Sequence, residues 1–504
     1  MTGLPARLLA LALAVLAGVA IVFAVRAADD PAEVSPTDVP VPPAARGEVE
    51  PFPDPFAYDP DKRASFERRA AAGSSHGLYV FSPGGAPASA ARTARWRPLV
   101  ERAAERAQVS ADRLEGLVFL ESAGRPDAVA GNDLDGAVGL TQILAETGRN
   151  LLSMRVDVAR STHLTRRIAR ERRRGRSERI GPLEAQRARV DERFDPRKAL
   201  TATARYLMIA KERFGREDLA FVAYHMGIGN LEGVLRAYVG ANDDPDAIGD
   251  LVENRRLTYA QVYFDSGPKR HAEAFGRLSR LGDDSANYYW KLLGAREILS
   301  RFREDPEELV RRSALQTAKN SAEELLHPAS VTERFERPSD LERAWEAEEI
   351  VALPDQPARL GLTVDRRMGE LARRVSSRPR LYRGLRPEAL ALALYVGAQV
   401  RDISGSPTPL RVTSTVRDGA YQRALVRGNR EATRNYSLHT TGYAMDVSRT
   451  YGSRAQARAF QFLLDRLQAL NVIAWVREPG AIHLTVSREA RTLLPLLDRI
   501  GAGP

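Results

Sequence analysis

Glu121 stands at the end of a run in which Leu114, Leu117, Val118 and Glu121 are spaced i, i+3, i+4 and i+7, so on an α-helix they share one face. Ser110 is a suitable N-cap for that helix and Gly124 a suitable end. A carboxylate closing an apolar face is desolvated, which penalises its charged form and raises its pKa. An acid tuned in this way can protonate a leaving oxygen, such as a glycosidic one, near neutral pH. A lone Glu at an exposed helix end would do none of this, so the weight falls on its companions.

A second set of residues points to metal chemistry. Ser437-Leu-His439-Thr-Thr-Gly442-Tyr-Ala444-Met-Asp446-Val447 is followed by Ile482-His483-Leu484 in a strand-like stretch. Two imidazoles and one carboxylate, His439, His483 and Asp446, can hold a zinc ion and leave one position for water. A water so bound becomes a nucleophile near neutral pH, while the metal polarises a carbonyl. The chain has no cysteine and seven histidines, so any metal must be held by His and carboxylate. Disulfides, thiol nucleophiles and an acylated-Cys anchor are excluded.

Glu121-Ser122 is followed by Gly136-Ala-Val-Gly-Leu-Thr-Gln142-Ile143, by Asp195-Pro196 and Arg205-Tyr206-Leu207, and then by Ala223-Tyr224-His225-Met226-Gly227-Ile228-Gly229-Asn230. In this order the elements resemble the soluble lytic transglycosylases, relatives of goose-type lysozyme, over about 91–238. The resemblance implies that Glu121 is the sole acid and base. It would protonate the bond between N-acetylmuramic acid and N-acetylglucosamine, then deprotonate the muramic C6 hydroxyl to close a 1,6-anhydro ring. It implies that Ser122, Gln142 and the backbone near Gly139 bind the glycan and that Tyr224 orients or polarises at the reaction centre. His225 stands where the family has Asn, and an imidazole can also donate a hydrogen bond to substrate. A long Arg-rich insertion separates Gln142 from Asp195. Hydrolysis by two carboxylates is the competing route, with Asp127, Asp133 or Asp135 positioning a water.

The C-terminal motif resembles the zinc D-alanyl-D-alanine carboxypeptidases of the vancomycin-resistance type, over about 359–497. Ser414-Thr-Val-Arg417 and Tyr421-Gln422 match that family's upstream element, which makes Arg417 a candidate for holding a substrate carbonyl or carboxylate. The family's catalytic Glu lies three residues before the second His, where this chain has Gly480; Glu478 is the nearest carboxylate. If the Pro479-Gly480 turn brings Glu478 inward it serves as base. If not, the region is a zinc-binding or peptide-binding relic.

The elements that must position these groups set the organisation. At 504 residues the chain is too long for one ordinary core, and its 43% hydrophobic content is that of a folded protein. Leu8–Val25 is an uncharged apolar run between Arg7 and Arg26, long enough to span a bilayer, and Val25-Arg26-Ala27 resembles a cleavage site. Residues 1–28 therefore read as signal peptide or membrane anchor, and 29–90 as a Pro-rich tether, most marked up to Asp61. Helical patterning over 91–347 reads as a lysozyme-like domain with a helical extension. Tyr288-Tyr289-Trp290 in that extension reads as core. Residues 348–358 read as a linker. Helical patterns at 364–375 and 387–400, then strand-like stretches at 410–416, 472–476 and 482–486, make 359–504 a small α+β domain.

The expected fold class is thus multidomain: a mainly α domain, a C-terminal α+β domain and an N-terminal hydrophobic helix. The net charge of +10 favours anionic partners, and its Arg-rich stretch around 170–176 reads as a solvated helical face. Without interleaved aromatics no nucleic-acid partner is expected. The resemblances imply peptidoglycan glycan strands and stem peptides as partners, with membrane contact through the N-terminal helix. They place the protein in the extracytoplasmic envelope, anchored or secreted. The rival readings are a hydrolytic muramidase and a non-catalytic wall-binding scaffold.

Overall fold

A computed structural model describes residues 54–499 except 242–246, 283, 319–321 and 428–435. The chain is mostly helical, with a small sheet region near its C-terminus. The apolar segment 8–25 lies outside the described residues. Among those described, no helix is long and apolar enough to cross a membrane.

The Glu121 helix, Ala111–Ser122, starts where expected: the Ser110 side chain accepts from the Arg113 N–H. It ends at Ser122, two residues before Gly124, with Ala123 and Gly124 both left-handed. Leu114, Leu117 and Val118 are fully buried. Helix Tyr288–Glu304 packs against this helix and against helix Arg63–Val80. Helix Pro196–Phe214 packs against Glu217–Met226, the helix that carries Tyr224. The Arg-rich insertion folds as two packed helices, Val158–Arg173 and Ile180–Val190, closed over a small cluster of Leu164, Ile168 and Leu183. Its arginines at 170 and 172–174 face solvent, as the charge pattern suggested.

Between Gly124 and Ala145 there is little regular structure, so the loop's carbonyls need partners from elsewhere. Arg193 supplies them. Its guanidinium donates to the carbonyls of Leu134 (2.6 Å), Gly136 (3.0 Å) and Ile143 (3.3 Å), and makes a two-pronged pair with Asp191 at 2.9 Å on each prong. Both side chains are 0% exposed. Gly139 permits the loop to close on this strut. Its φ is +82°, and a Cβ there would lie 1.9 Å from the Arg193 carbonyl oxygen.

Seven strands follow among the described residues. β1 (Val351–Ala352) and β3 (Gly384–Leu385) form an antiparallel pair. β2 (Leu362–Val364), β4 (Leu410–Ser414), β5 (Ala444–Ser448), β6 (Ile473–Arg477) and β7 (Ala481–Val486) form a sheet of order β2-β4-β5-β7-β6, antiparallel except for β2 with β4. Side chains alternate across the sheet. Met445, Val447 and Leu484 join Leu392 and Val396 of helix Pro387–Ser404 in one apolar layer, which leaves Asp446 and His483 on the other face.

Three sequence expectations need correction. The proposed tether, 29–90, contains helices Arg63–Val80 and Ala86–Ala94, which bury Phe66, Ala70 and Ala90 against the helical core. The linker 348–358 contributes β1, and the helical pattern at 364–375 yields only the short turn Ala372–Val375. The two parts of the chain also share a seam. Arg466 donates to the carbonyls of Tyr263, Phe264 and Ser266, Arg69 to that of Leu470, and Tyr395 to Asp54. A Cβ on Gly73 would stand 2.3 Å from the Gln468 carbonyl oxygen, so helix Arg454–Ala469 lies almost backbone to backbone on Arg63–Val80.

Replacing Arg193 with Met leaves Asp191 buried without its cation and takes a donor from three loop carbonyls, of which Ile143 keeps the Val138 N–H. The expected cost is about 3–5 kcal/mol, measured by urea unfolding. An effect under about 1 kcal/mol would mean the loop does not depend on this strut.

Candidate functional site

Glu121 comes off the end of its helix into a nest of hydroxyls and rings. The Tyr288 hydroxyl donates to Glu121 Oε1 at 2.7 Å. His225 stacks on the Tyr288 ring with centroids 4.7 Å apart and planes 14° from parallel. The Tyr224 hydroxyl donates to the Thr141 carbonyl at 2.7 Å, and its oxygen lies 3.3 Å from the Thr203 hydroxyl. Burial pushes the Glu121 carboxyl up to about 7, a rise that the Tyr288 hydrogen bond limits. Glu121 nevertheless keeps some contact with solvent, and His225 is exposed beside it. Burial and then the nearby Glu121 charge push the phenols of both Tyr224 and Tyr288 up, which keeps them neutral donors.

The remaining expected residues take supporting places. Ser122, expected at the glycan, is only 2% exposed. Its hydroxyl donates to the Leu140 carbonyl at 2.7 Å, tying the Glu121 helix to the loop. Gln142 has a left-handed backbone (φ +51°) and its amide donates to Gly139 O (2.8 Å) and Ala128 O (3.3 Å), bracing the loop from inside. Among the nearby acids, Asp127 pairs with Arg172 at 3.1 Å, and Asp133 accepts from the N–H groups of Asp135 and Gly136. Sequence reasoning missed the contact of Tyr288. Its burial was expected, but nothing in Tyr288-Tyr289-Trp290 says which ring turns toward a residue 167 positions earlier.

The second constellation gathers on the polar face of the sheet. Asp446 and His483 are direct partners in the β5–β7 register, and His483 Nδ1 is 2.7 Å from Asp446 Oδ1. His439, 3% exposed, sits in the turn Leu438–Thr441. Its Nδ1 donates to the Thr415 carbonyl at 2.8 Å, which turns the lone pair of Nε2 toward Asp446, 3.2 Å away. Ligand atoms of the three residues lie within 4.8 Å of one another, so the group could hold a metal ion. The donor set suits one: two imidazole nitrogens and a carboxylate oxygen converge, and the far nitrogen of His439 is fixed by an acceptor, as ligating histidines require.

Electrostatics at this centre pull the two histidines apart. Burial and then the Arg417 charge press His439 down to about 4. For His483 burial also acts downward, but the hydrogen bond to Asp446 and the charges of Glu323 and Asp446 outweigh it and lift it to about 9. Burial alone would raise Asp446, yet the two histidines hold it well below the usual carboxylate range.

Arg417 is clamped by Ser414 (2.6 Å), Gln422 (3.0 Å) and Asp446 (3.2 Å). Glu478 stands in the β6–β7 turn, where its N–H donates to the Ala481 carbonyl at 2.9 Å. The turn leaves it half-buried, and its charge acts on both Arg417 and His483.

No protein-family model matches the chain, and no curated protein matches it in sequence.

Two outcomes follow from the Glu121 environment. Tyr288→Phe removes the hydrogen bond that favours the carboxylate, so the titration of Glu121, followed by carbonyl-region NMR or infrared difference spectroscopy, should move up by roughly one pH unit; a downward move would refute the assignment. The folded carboxyl titrates near 7 and the unfolded one near about 4.3. The folded state thus holds its proton longer, and stability falls as pH rises through that window, by about 4 kcal/mol in all. Glu121→Gln should therefore gain on the parent protein between pH 4 and pH 8 in paired unfolding curves.

Proposed function

We propose that this chain is a peptidoglycan lytic transglycosylase that cleaves between N-acetylmuramic acid and N-acetylglucosamine, with Glu121 as its single acid and base. The observation that carries the reading is a carboxyl raised to about 7 by burial, yet still in contact with solvent, among neutral hydroxyl donors.

Protonated Glu121 gives its proton to the departing glycosidic oxygen as the bond to the muramic C1 breaks. The resulting carboxylate then takes the proton of the muramic C6 hydroxyl as O6 bonds to C1. The ring closes, no water enters the products, and Glu121 ends as it began. Tyr288 stabilises the carboxylate between the two half-steps, and its donation is strongest when that charge is present. Tyr224 holds the loop around Thr141 against the reaction centre. His225 is the exposed donor best placed to meet the sugar. For the competing two-carboxylate route, Asp127 is engaged by Arg172 and Asp133 by the loop's own backbone, so the exposed Asp135 is the acid that route would use.

The lysozyme-like character of the helical part, its export and its anchoring belong to the same proposal. So does the likeness of the C-terminal part to zinc carboxypeptidases acting on stem peptides. There His439, Asp446 and His483 would hold zinc, which supplies an activated water and a polarised carbonyl. Arg417 would grip the substrate carboxylate or carbonyl, and Glu478 would accept a proton.

Digestion of purified sacculi with the exported chain should release anhydro-muropeptides, seen by mass spectrometry. Glu121→Gln should lower release by at least about a hundredfold, the usual contribution of a general acid. Reducing muramic ends would make the enzyme a hydrolase instead. Binding to sacculi without release would leave a scaffold.

A further inference from the structure

The segment that joins the helical part to the sheet places a carboxylate behind one of the candidate metal ligands. Glu323, in the short helix Glu323–Leu326, is 4% exposed, and its Oε1 lies 3.8 Å from His483 Nε2. The other ring nitrogen of His483 faces Asp446. The imidazole thus stands between two carboxylates, one on the sheet and one from the helical side.

Independent contacts fix Glu323 there. The helix packs on β6 and β7. The neighbouring His327 meets the Val486 carbonyl at 2.6 Å through Nε2, and stacks on Tyr443 with centroids 4.0 Å apart. Tyr436 donates to the His327 carbonyl at 2.7 Å. Val486 lies three residues after His483, and Tyr443 three before Asp446.

We infer that Glu323 is a positioning residue of a metal centre that spans the junction between the helical part and the sheet. The inference rests on the proposal that His439, Asp446 and His483 bind a metal. A cation on His483 Nδ1 obliges a neutral imidazole to carry its proton on Nε2, the atom that faces Glu323. A carboxylate behind a ligating imidazole fixes its tautomer and orientation and makes it a better ligand. His439 already has the equivalent support from Thr415. Charge argues the same way. Asp446, Glu323 and Glu478 all act on His483, and Arg417 is the cation clamped to Asp446, so a divalent ion brings this group to neutrality. Metal binding then steadies residues 323–327 where they already lie on the sheet.

The test uses the full exported chain. Zinc affinity is measured by competition with a chromophoric chelator, cobalt(II) binding by its visible spectrum, and the junction by hydrogen exchange. Glu323→Ala should weaken zinc binding by about 10–100-fold, with Glu323→Gln, which keeps an acceptor, recovering much of the loss. The cobalt spectrum of Glu323→Ala, once saturated, should keep its band positions, because the ligand set is unchanged. Zinc should slow exchange at residues 323–327 in the parent chain and not in Glu323→Ala. If His439→Ala abolishes zinc binding while Glu323→Ala leaves it unchanged, the positioning role is overturned and the metal site survives. A shifted cobalt spectrum would also overturn it, by making Glu323 a direct ligand. If the parent chain binds no zinc, or His439→Ala binds it equally well, the underlying metal reading has failed.

Discussion

A guanidinium with no access to water holds this molecule's candidate glycan site together. The loop from Gly124 to Ala145 is built of turns and isolated bridges, and Arg193 braces it by collecting the carbonyls of Leu134, Gly136 and Ile143 around a single planar fork. A buried ion pair is weak evidence for stability in general. Here the second charge, Asp191, allows the first to be buried, and the loop's carbonyls complete its solvation. What depends on the strut is position. Ser122 reaches Leu140, and Tyr224 reaches Thr141, because the loop passes where Arg193 puts it.

The Glu121 carboxyl has the opposite electrostatic situation. No cation is among the causes of its shift; burial raises it and a phenol moderates the rise. A nearby Arg or Lys would have dragged the group down into the ordinary carboxylate range and spoiled it as an acid. The chain is rich in arginine, so keeping guanidinium groups out of this pocket is itself a structural achievement. His225 and Tyr224 come from one helix and Tyr288 from another, and the stacked rings of His225 and Tyr288 stand beside the carboxyl.

What the sequence revealed was what is local. The face of Leu114, Leu117, Val118 and Glu121 follows from helical period, and the Ser110 cap from one side chain and one turn. β4, β6 and β7 are legible from their strand-like stretches at 410–416, 472–476 and 482–486. Residues whose role depends on distant partners were not. Arg193 sits in the polar string Asp191-Glu-Arg, which reads as surface until its fork is seen inside the loop. Ser122 and Gln142 looked like groove residues because of their neighbours in the chain, whereas their hydrogen bonds run inward. Helix Arg63–Val80 was hidden by its glycines, and Gly73 reads as a breaker only while the approach of Gln468 is unknown. Glu323 lies 160 residues from the histidine it faces, with nothing in its surroundings to mark it.

The seam between the helical part and the sheet carries a consequence for how such a molecule meets an extended target. Arg466 is wedged among the carbonyls of Tyr263, Phe264 and Ser266, and the backbone at Gln468 leaves Gly73 no room for a side chain, so the halves have little freedom to swivel. Two sites on a flexible leash search independently, and a gain in local concentration is all they share. Two sites on one chassis behave like a gauge with fixed jaws. A cross-linked mesh seated in one would present to the other only those bonds lying at the matching offset and angle, so selectivity would come from the spacing of the mesh as well as from its chemistry.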